Sequence, residues 1–240
     1  MPAPTILQAC DGYRHSLDPL LLCAFAHLPP QARVADLGTG SGVMPLLLAH
    51  QGQGREFVGI ERQPALAARA AASVRLNGLE GRVRIVCADL RALPAELVAG
   101  SFDVVLANPP YRRIASGRVA PGAERAAARH ELAGGLPEFL ATAERLLKNR
   151  GRCSVVFLAE RLAELLATLC RCNLEPKRLR LVHSRAGEPA KLVLVEGRKN
   201  ARPGLTVEAP LIVYGAGKGR DYSAELQEIF RRTGYATKST

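Results

Sequence analysis

The sequence predicts a doubly wound α/β domain, in which helices cover both faces of a largely parallel β-sheet. Short, continuous apolar runs alternate with helical stretches along most of the 240 residues, and such runs are typical of strands that are buried on both faces. The loops between these elements are short, as they are in α/β folds. We therefore expect one domain with at most small additions.

Seven strands are expected, and the last two differ from the others. The predicted strands cover residues 33–37, 57–61, 83–87, 102–107, 154–158, 178–183 and 191–196. Only residues 184–190 separate the last two strands, which is enough for a hairpin but too short for a parallel crossover. The predicted fold is therefore a doubly wound, seven-stranded, Rossmann-like sheet whose last strand is antiparallel.

Helix boundaries follow from proline, glycine and capping residues. Ser16 or Asp18 is expected to cap a first helix that has Pro19 at its first position. Further helices are predicted at residues 65–76, 136–148, 160–169 and 224–231. The chain then divides into an N-terminal helical segment, a core, and a basic tail with a short helix, at residues 1–32, 33–214 and 215–240.

Composition narrows the class of protein. The apolar share of 48% excludes a disordered chain, and no apolar run reaches the roughly 18 residues of a membrane span. The N-terminus lacks the pattern of a secretory signal, so we expect a cytoplasmic protein without a membrane segment. None of the six cysteines forms a C-x-x-C pair or has a histidine at zinc-binding spacing. We therefore expect buried, reduced thiols and no metal site.

The chain is basic, with 33 Lys and Arg against 22 Asp and Glu and a net charge of +11. Such a surplus favours an anionic partner such as nucleic acid. Arginine accounts for 27 of the basic residues and lysine for 6, a bias that GC-rich codon usage also produces. Charge alone leaves both explanations open. The sequence does not determine the oligomeric state, for which a monomer is the working expectation.

A glycine-rich turn follows the first strand, where residues 36–42 read DLGTGSG. Ligands of doubly wound sheets bind at the carboxyl ends of the strands. A dinucleotide fingerprint would have a third glycine in place of Val43 and an apolar residue in place of Asp36. A carboxylate here opposes a pyrophosphate but attracts an ammonium group, which disfavours a nicotinamide enzyme.

Two further acidic residues end the next two predicted strands. Glu61 can accept hydrogen bonds from both hydroxyls of a ribose, and Asp89 can accept one from an exocyclic amine. Together with Asp36 they describe a nucleoside that carries a positive group and no phosphate, a description that S-adenosylmethionine fits. Taken singly, Asp36 also fits a helix or turn cap, Glu61 a solvated strand end, and Asp89 a turn former.

The fourth strand ends in the sequence NPPY, residues 108–111. Prolines stiffen a turn and lack backbone donors, so the Asn108 side-chain oxygen and the Pro109 carbonyl can both accept from one ligand amine. This directs the nitrogen lone pair towards a methyl sulfonium, while Tyr111 offers a face to a planar base or amide. Catalysis would then depend on positioning and electrostatics, without a strong general base. A plain proline turn is the alternative.

These motifs are similar to those of a known family. DLGTGSG with NPPY resembles the class I amino-methyltransferases. GYRHSLDPLLL, VGIERQPALA, ARHE and EPKRLRLVHSRAGEPAKLVLVEGRK extend the resemblance, over residues 8–232, to the bacterial adenine-N6 methyltransferases that act on valine tRNA. The resemblance implies S-adenosylmethionine as the cofactor, tRNA as the partner, and an adenine beside the anticodon as the target. The chain departs from the family at His15, where Phe is usual.

The resemblance also implies roles for individual residues. The target adenine would be held by the catalytic residues Asn108, Pro109, Pro110 and Tyr111. The N-terminal segment would pack over the cofactor, whose predicted contacts are Tyr13, Ser16, Asp36, Gly38, Thr39, Gly40, Glu61, Asp89 and Asn108. For Tyr13 and Ser16, the start and capping of the first helix are the alternative.

Basic residues follow the N-P-P-Y turn directly. If the target base is flipped into the turn, arginines just after it can hold the flanking phosphates. The predicted RNA contacts are Arg112, Arg113, Arg118, Arg125 and Arg129. The later stretch at residues 177–202 has eight basic residues against Glu188 and Glu196, and some of them serve only solubility.

Two other functions stay open. Glutamine-N5 methylation of a protein release factor uses the same N-P-P-Y chemistry on an amide. Enzymes of that kind carry a helical N-terminal domain, for which the residues before the glycine turn leave no space. A non-enzymatic RNA-binding protein on the same fold is the second alternative. Its mark would be a broken catalytic turn, and residues 108–111 are intact.

Overall fold

The computed structural model describes residues 4–7, 17–111, 135–217, 219 and 221–234. Within these residues the strands form one sheet of nine. The strands are β1 (Arg33–Leu37), β2 (Glu56–Glu61), β3 (Val83–Cys87), β4 (Phe102–Ala107), β5 (Leu147–Leu158), β6 (Leu174–His183), β7 (Ala190–Lys199), β8 (Thr206–Val207) and β9 (Leu211–Ile212).

The strand order confirms the predicted doubly wound sheet. It runs β3-β2-β1-β4-β5-β7-β6-β8, with β9 also paired to β6. Strands β1 to β5 are mutually parallel, and β7 is antiparallel to both of its neighbours. The short strands β8 and β9 were not predicted, because two-residue pairings contain no periodic pattern. Strand β5 starts at Leu147, seven residues before the predicted start at residue 154. The prediction missed its first half because that part of the strand is largely polar and exposed and has no apolar run.

All predicted helices form, with shifted ends. The helices are α1 (Asp18–Phe25), α2 (Val43–His50), α3 (Pro64–Leu76), α4 (Leu136–Leu146), α5 (Leu162–Arg171) and α6 (Ala224–Thr233). The prediction that Asp18 caps α1 is wrong: the N-cap is Leu17, and no side chain caps this helix end. Asp18 is already inside the first turn, and its carboxylate instead contacts Tyr111. Ser16 lies outside the described residues.

Alternate side chains of each central strand enter two different cores. On β4, Val104 and Leu106 belong to a cluster shared with α1, α2 and α6. Val105 and Ala107 belong to a second cluster, shared with α4 and α5. Helices on both faces bury the sheet and leave its carboxyl edge as the place where strand ends meet. At that edge Leu37, the last residue of β1, pairs with the last residue of β4.

The cysteines are less uniformly buried than the sequence predicts. Cys23 and Cys153 are buried, whereas Cys87 and Cys170 are exposed. Cys87 is the last residue of β3, a strand at the edge of the sheet. Among the described residues, no group of His, Cys, Asp and Glu is arranged to bind a metal ion. None of the described helices combines the length and the hydropathy needed to cross a membrane.

Candidate active site

The glycine turn after β1 requires left-handed backbone. Gly38 has φ +67° and Gly40 has φ +58°, a region that glycine adopts without steric cost. A Cβ on Gly38 would lie 3.1 Å from the ring of Phe139 on α4, so the turn packs closely there. At Gly40 no described atom lies within 4 Å of an added Cβ. The turn is thus supported on one side and open on the other.

Asp36 supplies a buried carboxylate beneath this turn. It is 1% exposed, and its Oδ2 accepts a 2.6 Å hydrogen bond from the Thr39 hydroxyl. Burial raises the pKa of Asp36 to about 7, while the bond from Thr39 lowers it and the charge of Glu61 raises it. Its Oδ1 accepts from no described residue. Such an unsatisfied buried oxygen suits a positively charged donor from a ligand.

Glu61, at the end of β2, ties the turn to the neighbouring strand. Its Oε2 accepts from the backbone N–H of Gly40 at 3.0 Å, and its Oε1 accepts from that of Gln63 at 2.8 Å. Each carboxylate oxygen keeps a further lone pair. The arrangement is therefore compatible with the predicted ribose contact, which stays a prediction.

Asp89 lies two residues beyond the end of β3 and not at the strand end itself. Its Oδ1 accepts from Nε of Arg91 at 2.9 Å and its Oδ2 from Nη2 at 2.6 Å. These bonds lower the pKa of Asp89 to about 2. The carboxylate is thus ionised and already paired, and the predicted adenine contact would share it with Arg91.

The N-P-P-Y turn begins where β4 ends, beside the end of β1. The Tyr111 hydroxyl lies 2.8 Å from Oδ1 of Asn108 and 2.8 Å from Oδ2 of Asp18. Asp18 is buried in the first turn of α1, 93 residues before Tyr111 in the sequence. The structure therefore brings Asn108 and Tyr111 into contact and adds a carboxylate to them, while their predicted role in holding the target adenine stays a prediction.

A second group of residues holds Tyr111 from the β5 side. Its ring meets the ring of Phe157 edge-on, with centroids 5.8 Å apart. Its carbonyl accepts from Nη1 of Arg161 at 2.9 Å. The Arg161 guanidinium lies 4.6 Å from the Phe157 ring centroid and forms a bidentate pair with Glu164. Sequence reasoning missed Phe157 and Arg161. Their one signal was their position at the end of β5, the strand next to β4: Phe157 lies among its last residues and Arg161 follows it.

Several predicted contacts lie outside the described residues. They are the cofactor residues Tyr13 and Ser16 and the RNA-contacting residues Arg112, Arg113, Arg118, Arg125 and Arg129. Their roles stay predictions.

The later basic stretch is divided by the antiparallel register of β7. Lys191 lies at the carboxyl edge near the end of β5, whereas Arg198 and Lys199 lie at the opposite edge. Several of these cations also have partners within the chain. The ion pairs are Arg178 with Glu196 and Glu208, Arg180 with Glu225, and Lys199 with Glu144. Arg178, Arg180 and Lys199 are therefore already paired with carboxylates of the chain.

Known proteins resemble this chain over most of its length. The family model described as "Methyltransferase domain" matches residues 29–231. A tRNA1(Val) (adenine(37)-N6)-methyltransferase from Porphyromonas gingivalis is 30% identical over 80% of this chain and 76% of its own length. One of the same name from Actinobacillus succinogenes is 31% identical, covering 89% and 87%.

A solved structure supports the fold. It is that of a predicted O-methyltransferase from Agrobacterium tumefaciens, with a TM-score of 0.73 and 24% identity over 92% of this chain and all of that one. This likeness concerns the architecture, because a fold hosts many chemistries. The sequence relatives and the matched methyltransferase domain agree with the two turns at the carboxyl edge. The chain therefore belongs to the tRNA1(Val) (adenine(37)-N6)-methyltransferase family.

Proposed function

We propose that this chain transfers a methyl group from S-adenosylmethionine to N6 of an adenine in tRNA, namely adenine 37 beside the anticodon of valine tRNA. One observation carries the proposal: the N-P-P-Y turn lies at the end of β4, next to the glycine turn that covers the buried Asp36. A site for the amine that receives the methyl group and a site for the ammonium group of the cofactor thus lie side by side at one edge of the sheet. The names of the sequence relatives support the choice of tRNA.

The residues present fit this cofactor. Asp36 offers an unsatisfied buried oxygen to its ammonium group, and the open side of Gly40 leaves space for it. When bound, S-adenosylmethionine supplies a methyl group on a positively charged sulfur. Glu61 would hold the ribose, and Asp89 the adenine edge.

The chemistry left to the chain is positioning of the acceptor. The side-chain oxygen of Asn108 and the carbonyl of Pro109 accept the two N–H bonds of the target amine. Its lone pair would then be directed at the methyl group that the bound cofactor supplies, and the amine nitrogen would take that methyl group from the sulfur. The extra proton leaves to water afterwards, so a strong general base is unnecessary. Tyr111 would stack on the target base.

The five arginines after the turn would hold phosphates on either side of the flipped adenine, so we expect tRNA binding to weaken with salt. The activity would belong to the cytoplasm, and a monomer is the working expectation.

The test is incubation with labelled S-adenosylmethionine and total tRNA, followed by nucleoside mass spectrometry. N6-methyladenosine in valine tRNA is expected, and a valine tRNA transcript with guanine at the target position is the matched control that should stay unlabelled. Label that enters only protein would favour glutamine methylation. Binding of tRNA without any methyl transfer would favour the non-enzymatic alternative.

A further inference from the structure

The contact between Asn108 and Tyr111 poses a chemical conflict. The proposed reaction needs the Asn108 side-chain oxygen as an acceptor for the target amine. In the structure that oxygen lies 2.8 Å from the Tyr111 hydroxyl, which would occupy it by donating its proton. The same hydroxyl lies 2.8 Å from the buried carboxylate of Asp18.

Proton counting resolves the conflict. A phenol has one hydroxyl proton, so Tyr111 can donate to Asp18 or to Asn108 but not to both. An ionised carboxylate is the stronger acceptor, since charge-assisted hydrogen bonds are about twice as strong as neutral ones. With the proton directed to Asp18, the phenol oxygen can still accept a hydrogen bond, and the NH₂ group of the Asn108 amide can donate it. Turning the amide about its last side-chain bond presents that group at little steric cost.

This orientation releases the catalytic oxygen. Once the NH₂ group faces Tyr111, the Asn108 oxygen is turned away from it and is available to the target amine. We infer that Asp18 is a positioning residue, which holds the Tyr111 proton and thereby keeps the Asn108 oxygen available as an acceptor. The inference rests on the proposed function, because it assumes an amine that this oxygen receives.

The other side of Tyr111 makes the effect of Asp18 specific. Arg161 holds the Tyr111 carbonyl, and Phe157 packs against its ring. Tyr111 therefore stays beside Asn108 when Asp18 is removed. Its proton then goes to the Asn108 oxygen and blocks it, so the loss of Asp18 leaves an inhibitory hydroxyl in place.

A pair of substitutions tests this. Asp18→Ala should lower kcat about 30-fold, with the KM for tRNA and the affinity for S-adenosylmethionine unchanged. Tyr111→Phe should lower kcat only about threefold, because it loses the amide's partner but adds no competitor. The double variant should recover to about the rate of Tyr111→Phe, well above that of Asp18→Ala. A double variant no faster than Asp18→Ala would overturn the inference, since a structural role for Asp18 predicts no rescue.

Two variants serve as controls. Asp103→Asn removes a carboxylate near the start of β4, the strand whose other end leads into the N-P-P-Y turn. Asp103 accepts hydrogen bonds from Lys148 and from the Arg33 backbone N–H, and its substitution should leave kcat unchanged. Asp18→Asn keeps the size and an acceptor oxygen, so it should lose less activity than Asp18→Ala. If circular dichroism shows that Asp18→Ala is unfolded, Asp18→Asn replaces it both as the single variant and in the double variant with Tyr111→Phe.

An NMR measurement separates this inference from the proposed function. A nuclear Overhauser contact between the Asn108 NH₂ protons and the Tyr111 ring is expected in the free wild-type protein and should weaken in Asp18→Asn. If the wild type methylates tRNA but lacks this contact, and the double variant shows no rescue, then only the inference about Asp18 fails. If the wild type makes no N6-methyladenosine, the proposed function fails, and the NMR contact decides the amide orientation by itself.

Discussion

The two turns at the carboxyl edge of the sheet are built in different ways. The glycine turn is held by near neighbours and by backbone: Thr39 bonds Asp36, and the Gly40 N–H bonds Glu61 on the adjacent strand. The N-P-P-Y turn is held by side chains from distant segments, since Tyr111 contacts Asp18 and Arg161, 93 and 50 residues away. The first turn is thus self-contained in its hydrogen bonds, although Phe139 of α4 packs against Gly38, whereas the second is oriented by side chains from distant segments. Changes in the first should therefore alter cofactor affinity, and changes around the second should alter kcat.

The largest expected effect is at the centre of the second turn. Asn108→Ala removes the side-chain acceptor of the target amine, and kcat should fall about a thousandfold, in line with the loss of one preorganised electrostatic contact. Affinity for S-adenosylmethionine, measured by calorimetry, should stay within about threefold, because Asn108 is only one of the predicted cofactor contacts and the glycine turn does not depend on its side chain. Substantial methylation by this variant would contradict the positioning role, and a parallel loss of cofactor affinity would blur the distinction between the two turns.

The mirror-image change lies in the first turn. Asp36→Asn keeps the shape and the bond from Thr39 but removes the charge that attracts an ammonium group. The Kd for S-adenosylmethionine should rise about 50-fold, as expected for a lost charge-assisted hydrogen bond. At saturating cofactor, kcat should be close to wild type. Calorimetry and steady-state rates at high cofactor check the two halves, and a lower kcat at saturation would contradict the separation.

The difference between the turns also explains what could be predicted from sequence. Asp36, Gly38 and Gly40 are adjacent in the chain, so their residue types and spacing already describe a binding turn. Short, continuous apolar runs located the seven main strands, and the short loop before β7 indicated its direction. Asp18 and Arg161 carry no local mark of function, because their contact with Tyr111 exists only once α1 and the end of β5 pack on either side of β4.

A moderate effect is expected where the second turn is held from β5. Arg161→Ala removes the bond to the Tyr111 carbonyl and the guanidinium that covers Phe157. We expect kcat to fall about 20-fold, the cost of a hydrogen bond from a charged donor, with unchanged cofactor affinity. Arg231→Ala is the matched control, because that arginine is 75% exposed and pairs with Glu228, three residues away. Equal losses in both variants would mean that Arg161 acts through general charge.

The smallest effect is a pH dependence confined to the first turn. Burial raises the pKa of Asp36 from 3.8 to about 7, so its ionised fraction grows as pH approaches 7. Affinity for S-adenosylmethionine should therefore rise about tenfold between roughly pH 5.5 and 7, a range in which an α-amino group stays protonated. Calorimetry across this range measures it.

The raised pKa of Asp36 also makes the free energy of unfolding depend on pH, in the direction opposite to cofactor affinity. A raised pKa means that the folded state holds the proton more tightly than the unfolded state, so unfolding releases it. The contribution of Asp36 to the stability of the free protein is complete below its ordinary pKa of 3.8 and is lost as pH rises through about 7. Asp36→Asn should remove both this decline and the rise in cofactor affinity, while Asn108→Ala keeps both. If Asp36→Asn retained either pH dependence, another group would have to be responsible, and the glycine turn would no longer be self-contained.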